Sequence, residues 1–246
     1  MTSFVRSRQQ QNKSASYQAF FGIQKGCQEQ MRRLFEVVES EGSSNNNTPA
    51  QLREELFLRA VQAKNDCFAR SICPSLHADA LQCVLRPEKV ASGACRSALE
   101  SVSECVTGFW KKTINAKTQE LMQRYERCNQ GCAPALEEYQ KCMTIGGGGE
   151  KCAPAMMAVE TCLGSCLNPA AAVALTQCRS VGGSRCEAEE RVVVGARAAA
   201  GKEILLSMGF SEHDMTPTET SEQIMGVVGV VMFTGDIENQ MMQQRK

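Results

Sequence analysis

Fourteen cysteines carry most of the chemistry this chain is equipped to do, and their spacing narrows what that chemistry is. A thiol can serve as a nucleophile, a metal ligand or half of a disulfide. Zinc sites bring cysteines together in close pairs such as C-x2-C, because four ligands must converge on one ion. This sequence has no C-x2-C, no adjacent cysteine pair and only two histidines, His77 and His213. A redox-active dithiol also takes the C-x2-C spacing near a helix start, where its thiolate is stabilised. No spacing gathers the Ser, His and Asp residues into a nucleophilic arrangement. No catalytic, cofactor-binding or metal-ligating residue is therefore assigned, and no enzyme activity or cofactor is expected.

Disulfides suit the spacing better. Cys128, Cys132, Cys142, Cys152, Cys162 and Cys166 are separated by three, nine, nine, nine and three residues, so the pattern is a mirror about Gly147. That centre lies in Gly146-Gly147-Gly148-Gly149, a run too costly to hold as helix because glycine loses the most backbone freedom on ordering. If the chain turns there and returns as an antiparallel helix, Cys128 comes level with Cys166, Cys132 with Cys162, and Cys142 with Cys152. Cys73, Cys83, Cys95 and Cys105 repeat the C-x9-C spacing, and mirror about Lys89 in a segment holding Pro87, Ser92 and Gly93. That segment reads as a turn, which sets Cys73 against Cys105 and Cys83 against Cys95. Spacing alone does not fix connectivity. These five pairs are the expectation; Cys27 with Cys67 and Cys178 with Cys186 also mirror across breaker-rich segments, and whether they pair is left open.

The elements that must position these thiols read as helices, so the expected fold is all-α: disulfide-stapled antiparallel helical hairpins with flanking helices. Phe20, Cys27, Met31, Leu34 and Val38 recur at helical spacing over 14–40. After a Ser/Asn linker, Thr48 is expected to cap a second helix with Pro49 at its first position and an apolar stripe of Leu52, Leu56, Ala60, Ala63 and Cys67. Within the modules, Cys73, Leu76, Ala80 and Cys83 share one face and Cys95, Ala98, Val102, Cys105 and Phe109 another. Leu121, Tyr125, Cys128, Cys132, Leu136, Tyr139 and Cys142 face Cys152, Met156, Val159, Cys162 and Cys166. Gly131 and Pro134 are placed to break the incoming helix at Cys132 and loosen the Cys128 to Cys166 rung. Asn168-Pro169 opens a short helix to Cys178, and Cys186 begins another reaching about Leu206. The Val-rich run 224–233 reads as a buried strand or turn, and the tail from Gly209 is assigned no role. The expected divisions are an N-terminal segment and hairpin at 1–72, modules at 73–112 and 113–168, and C-terminal helices and tail at 169–246.

Composition sets outer limits. Lys+Arg and Asp+Glu each number 27, the formal net charge is zero and aromatics are 5%. No basic cluster with interleaved aromatics suggests nucleic acid, and no apolar run approaches the roughly 18–20 residues that span a bilayer. Residues 1–28 carry Arg6, Arg8, Lys13 and Lys25 with several serines. That is the composition of a mitochondrial transit segment or of a polar leader running into a helix.

The twin C-x9-C arrangement at Cys73/Cys83/Cys95/Cys105, repeated at Cys132/Cys142/Cys152/Cys162, resembles two tandem coiled-coil-helix (CHCH) modules over about residues 70–168. The resemblance implies residence in the mitochondrial intermembrane space, import by oxidative trapping and no catalytic activity. The added C-x3-C pairs are similar to those of the small import chaperones, from which the flanking helices and tail depart. Tyr125, Tyr139 and Phe109-Trp110 resemble the apolar residues of the family's import signal, but hairpin core is the favoured reading of them. Tandem modules with long extensions are similar to an accessory subunit of respiratory complex I, and single modules occur in cytochrome oxidase. The expected role is a structural subunit peripheral to the inner membrane, with protein subunits of a large complex and the oxidative import machinery as partners. The alternatives are a copper carrier, an assembly factor or import chaperone, or a subunit of the mitochondrial ribosome or a cristae-organising complex.

Overall fold

The computed structural model describes residues 13–42, 49–145, 149–181, 185–216 and 219–244. Among them every regular element is a helix, apart from one isolated bridge between Thr216 and Glu219. The helices are α1 (Ala15–Gly26), α2 (Gln28–Gly42), α3 (Ala50–Ile72), α4 (Pro74–Val84), α5 (Pro87–Ala91), α6 (Arg96–Thr113), α7 (Ala116–Gly131), α8 (Ala133–Ile145), α9 (Ala153–Leu167), α10 (Pro169–Ser180), α11 (Glu187–Ser207) and α12 (Ser221–Gln244). They form two compact units, one of residues 1–113 with 209–246 and the other of residues 114–208. The C-terminal part does not stay together: 169–208 belongs with the second cysteine module and 209–246 with the N-terminal hairpin.

In the first unit Ser14 caps α1 by accepting the Tyr17 N–H at 3.1 Å, supplying one of the acceptors a helix start lacks. The expected single helix over 14–40 is two, broken after Gly26, where Cys27 leaves helical geometry. Its N–H still closes α1 onto Ile23 while its carbonyl opens α2 by accepting from Met31. Phe20, fully buried, meets Phe109 at 6.0 Å, Trp110 at 5.9 Å and Phe210 at 5.6 Å, joining α1, α6 and the chain after Gly209. On α3 the buried stripe is Phe57, Val61, Lys64, Cys67 and Phe68, whereas Leu52 and Leu56 are about half exposed and Ala63 is exposed. The expected stripe ran through the right cysteine but leaned to the wrong side, because Leu56, Phe57 and Leu58 are consecutive and the periodicity does not choose between them. Thr48 lies outside the described residues; Pro49 stands just before α3 rather than within it. Pro74 begins α4, where a missing N–H costs nothing. The turn about Lys89 contains the five-residue α5, and Gly93, with φ +71°, takes the left-handed bend into α6.

The run 224–233 is helical, as part of α12, and neither strand nor turn. Its β-branched content favours a pleated surface, but Ile224, Val227, Val228 and Val231 sit at helical spacing and are buried with Thr234. Tertiary burial of that face overrides local propensity.

The second unit is built around α9 and α11. Val159, Leu163 and Leu167 of α9 and Ala196 of α11 bury against Cys128 and Cys132, with Tyr125 and Tyr139 packed alongside. Gly164 permits the crossing: a Cβ there would stand 1.9 Å from the Val193 carbonyl oxygen. Asn115 caps α7 by accepting from the Thr118 N–H at 3.0 Å, and donates its Nδ2 to the Ser207 carbonyl at 2.8 Å. It thereby fixes the start of α7 to the end of α11. Asn168 caps α10 as expected, accepting from Ala171 N–H at 3.1 Å.

Candidate functional site

All fourteen cysteines are joined in seven disulfides, and none is free. In the first module Cys73–Cys105 and Cys83–Cys95 pin α4 to α6, with Cα atoms 6.4 and 5.6 Å apart. In the second, Cys128–Cys166, Cys132–Cys162 and Cys142–Cys152 hold α7 and α8 against α9 at Cα separations of 5.6, 5.9 and 5.8 Å. The chain does break at Cys132, between α7 and α8, yet the Cys128–Cys166 rung is closed. The two pairs left open by spacing are also bonded: Cys27–Cys67 ties the α1–α2 junction to α3, and Cys178–Cys186 ties α10 to the start of α11. The Cα separations lie in the range a disulfide needs. In each bridge at least one of the two cysteines is buried. No sulfur in this form is a thiolate able to bind metal or attack a substrate.

Among the described residues a concave surface lies beside the ladder in each unit. In the first unit a groove of about 440 Å³ runs between α3, α4 and α6 over Ala69, Ala80, Leu81, Val84, Leu99 and Val102. Leu81, Val84 and Leu99 are about half exposed. At its rim the buried His77 meets Asp66 at 2.9 Å, linking α4 to α3. In the second unit a recess of about 610 Å³ is lined by Met157, Cys162 and Val193, with an Arg179–Glu190 ion pair of 2.6 Å at its side. Both can seat apolar side chains. Among the described residues no three His, Cys, Asp or Glu side chains converge as a metal site.

Two polar clusters were missed by sequence reasoning. In the first unit Lys13 Nζ donates to Glu219 Oε2 at 2.8 Å and to the Asp214 carbonyl at 2.9 Å, and lies 4.3 Å from the Tyr17 ring centre. The Tyr17 hydroxyl donates to Glu219. The fully buried Asp214 accepts the Ser14 N–H at 2.9 Å and the Ser211 N–H at 2.7 Å. Burial would raise both carboxyls, but the hydrogen bonds to their charged forms outweigh it, and both sit below the usual carboxylate range. Burial, then the Glu219 carboxylate, pushes the Tyr17 phenol well above its usual value. The signal that could have located Asp214 is Ser211-Glu-His-Asp214, a cap pattern. In the second unit Arg197 of α11 donates to Glu160 at 2.6 Å and to the Tyr125 hydroxyl at 3.1 Å, joining α7, α9 and α11. Burial opposes its charge, while Tyr125 and then Glu160 raise its pKa above the ordinary guanidinium value.

Phe109, Trp110, Tyr125 and Tyr139 are core-packing residues in their units. Among the described residues no single helix is long and apolar enough to cross a membrane. The pair 150–167 and Pro169–Ser180 reaches that composition together, but is bent by 117°. Val159, Leu163, Leu167, Ala171 and Leu175 of this pair are buried in the unit's own core. No protein-family model matches the chain, and no curated protein and no solved structure matches it.

Proposed function

We propose that this protein is a non-catalytic structural subunit of the mitochondrial intermembrane space, a rigid helical scaffold held by disulfides and docked on an inner-membrane respiratory assembly. Respiratory complex I is the first choice and cytochrome oxidase the second, on the resemblance to tandem CHCH proteins. One observation carries the reading: every cysteine is spent on a helix-to-helix cross-link, and ten of the fourteen do so in two hairpin ladders built on C-x9-C spacing. Such an inventory persists in an oxidising compartment and is lost in a reducing one. Half-exposed apolar side chains beside the first ladder, Leu81, Val84 and Leu99, supply surface for a partner subunit. Copper carriage by thiolates is disfavoured, since it needs free, closely spaced sulfurs.

The test has two parts. Peptide mapping of unreduced protein from mitochondria is expected to recover the seven pairs, and gentle detergent extraction followed by native separation is expected to place the protein in a large inner-membrane assembly. Free sulfurs in native material would remove the compartment assignment. A lone small species would remove the subunit role.

A further inference from the structure

Helix α12 is apolar on two faces, and among the described residues only one of them is buried. Ile224, Val227, Val228, Val231 and Thr234 are buried in the first unit. The opposite face is exposed and carries Glu222, Gly226, Gly229, Phe233 and Asp236, with Val230 beside them. Their steps of four, three, four and three residues are those of a coiled-coil seam. From Gln223 to Gly235 there is no charged residue, which at about 1.5 Å per residue makes an uncharged strip of about 20 Å. Phe233 is 57% and Val230 49% exposed. Phe233 is held in place by stacking on Phe35 of α2 at 6.0 Å, so the large side chain of the seam is oriented before any partner arrives.

A helix apolar all round belongs in an interior, and the charges at the ends of the strip decide what completes it. Glu222 and Asp236 bracket it, and among the described residues neither is paired with a cation. On the neighbouring α2, Arg32 and Arg33 are engaged by Glu29 and Glu36 of their own helix. A second copy would bring acid against acid in either orientation: Glu222 on Glu222 and Asp236 on Asp236 if parallel, Glu222 on Asp236 if antiparallel. An anionic bilayer surface would meet the same acids. A protein helix with basic ends meets neither obstacle. Gly226 and Gly229 agree with it: among the described residues a Cβ at either position would meet nothing within 4 Å beyond its own helix backbone and chain neighbours, so internal packing does not require glycine in the middle of this helix. An approaching helix does benefit, because its larger side chains can enter the notch.

We propose that the exposed seam of α12 receives a helix of a protein partner, one whose apolar stripe of about three turns is bracketed by Lys or Arg about fourteen residues apart. This gives the scaffold a defined docking strip. It rests on the scaffold reading only in taking the occupant to be a protein.

The experiment uses the oxidised full-length chain and a fluorescent 21-residue helical peptide with leucine at the seam positions and arginine at two seam positions fourteen apart. A second peptide carries glutamate in place of both arginines. The chain is expected to bind the arginine peptide at least tenfold more tightly than the glutamate peptide. Glu222→Lys with Asp236→Lys, both exposed, is expected to reverse that preference, and Phe233→Ser to weaken both peptides at least tenfold with unchanged helicity by circular dichroism. Absence of binding, or binding indifferent to the charge exchange, overturns the proposal. So does self-association, or partition onto phosphatidylcholine or cardiolipin vesicles, that Phe233→Ser abolishes. These outcomes concern purified protein, so failure here leaves the compartment and subunit tests above to stand or fall separately.

Discussion

Replacing Gly164 by alanine adds one methyl group where α9 crosses α11, and the crossing has no room for it. The added Cβ would lie 1.9 Å from the Val193 carbonyl oxygen, 2.7 Å from its carbonyl carbon and 3.0 Å from Val193 Cγ1. Ordinary contact begins near 3.4 Å, so the two helices must part locally by about 1.5 Å. The obstacle is backbone, which cannot rotate away as a side chain would. Bridges at Cys162 and Cys166 hold α9 on both sides of residue 164. Overpacking of this kind costs about 1–3 kcal/mol, and here the upper end applies. Alanine returns about 1 kcal/mol through its higher helix propensity, leaving a net loss of about 2 kcal/mol. For a domain of this size that lowers the melting temperature by about 10 °C. Gly195, on α11 and exposed with no atom near its Cβ direction, is the matched control. Gly195→Ala is expected to gain about 0.5–1 kcal/mol by propensity alone. Scanning calorimetry of the oxidised variants reads both shifts. Gly164→Ala melting level with or above the parent, or Gly195→Ala falling as far, would refute the close crossing.

Three other perturbations follow from the geometry. Loop entropy makes Cys27–Cys67, at a sequence separation of 40, worth about 4 kcal/mol, against about 2.5 for Cys178–Cys186 at a separation of 8. Replacing each pair by alanine is expected to rank their denaturation midpoints in that order, and the reverse ranking counts against it. Asn115→Ala removes a cap and the bond to Ser207, and is expected to cost about 1–2 kcal/mol in denaturant titration; Asn115→Asp keeps the cap and loses less. For the cluster at Lys13, Asp214 and Glu219 the pH dependence has two limbs. Both carboxyls are depressed in the folded state, so at low pH the unfolded chain binds more protons; their stabilisation is whole above the unfolded values near pH 4 and is lost as pH falls through the folded values. Tyr17 is raised above its model-compound value of 10.0, so its contribution is whole below that pH and fades as pH rises beyond it. Amide exchange at Ser14 and Tyr17 across both limbs checks the signs, and Asp214→Asn should flatten most of the acid limb.

The cysteine ladders were legible because their information is arithmetic: equal intervals about a glycine-marked bend bring thiols level whatever the packing. Cys27–Cys67 and Cys178–Cys186 stayed open because a single pair has no second interval to check it. The α3 stripe was misread since Leu56 and Phe57, or Leu52 and Arg53, offer adjacent faces, and only the position of α1 and α2 selects Phe57. The Val-rich run was misread because β-branched residues vote for a strand, while what settles it as helix is a surface on α1 and α2 some two hundred residues away in sequence. The Asp214 and Arg197 clusters were invisible for the same reason. Lone charges show no periodicity, and their partners at Ser14 and Tyr125 become neighbours only after folding.

The first unit is closed by residues that follow the whole of the second unit in sequence. Phe210 on Phe20, Asp214 on Ser14 and α12 on α1 and α2 mean that a polypeptide delivered N-terminus first holds an unfinished surface while residues 114–208 pass. In that interval the second unit has all its residues and the first does not. Bridges closed before α12 docks would tie α1 to α3 and α4 to α6 around an apolar seat still unfilled.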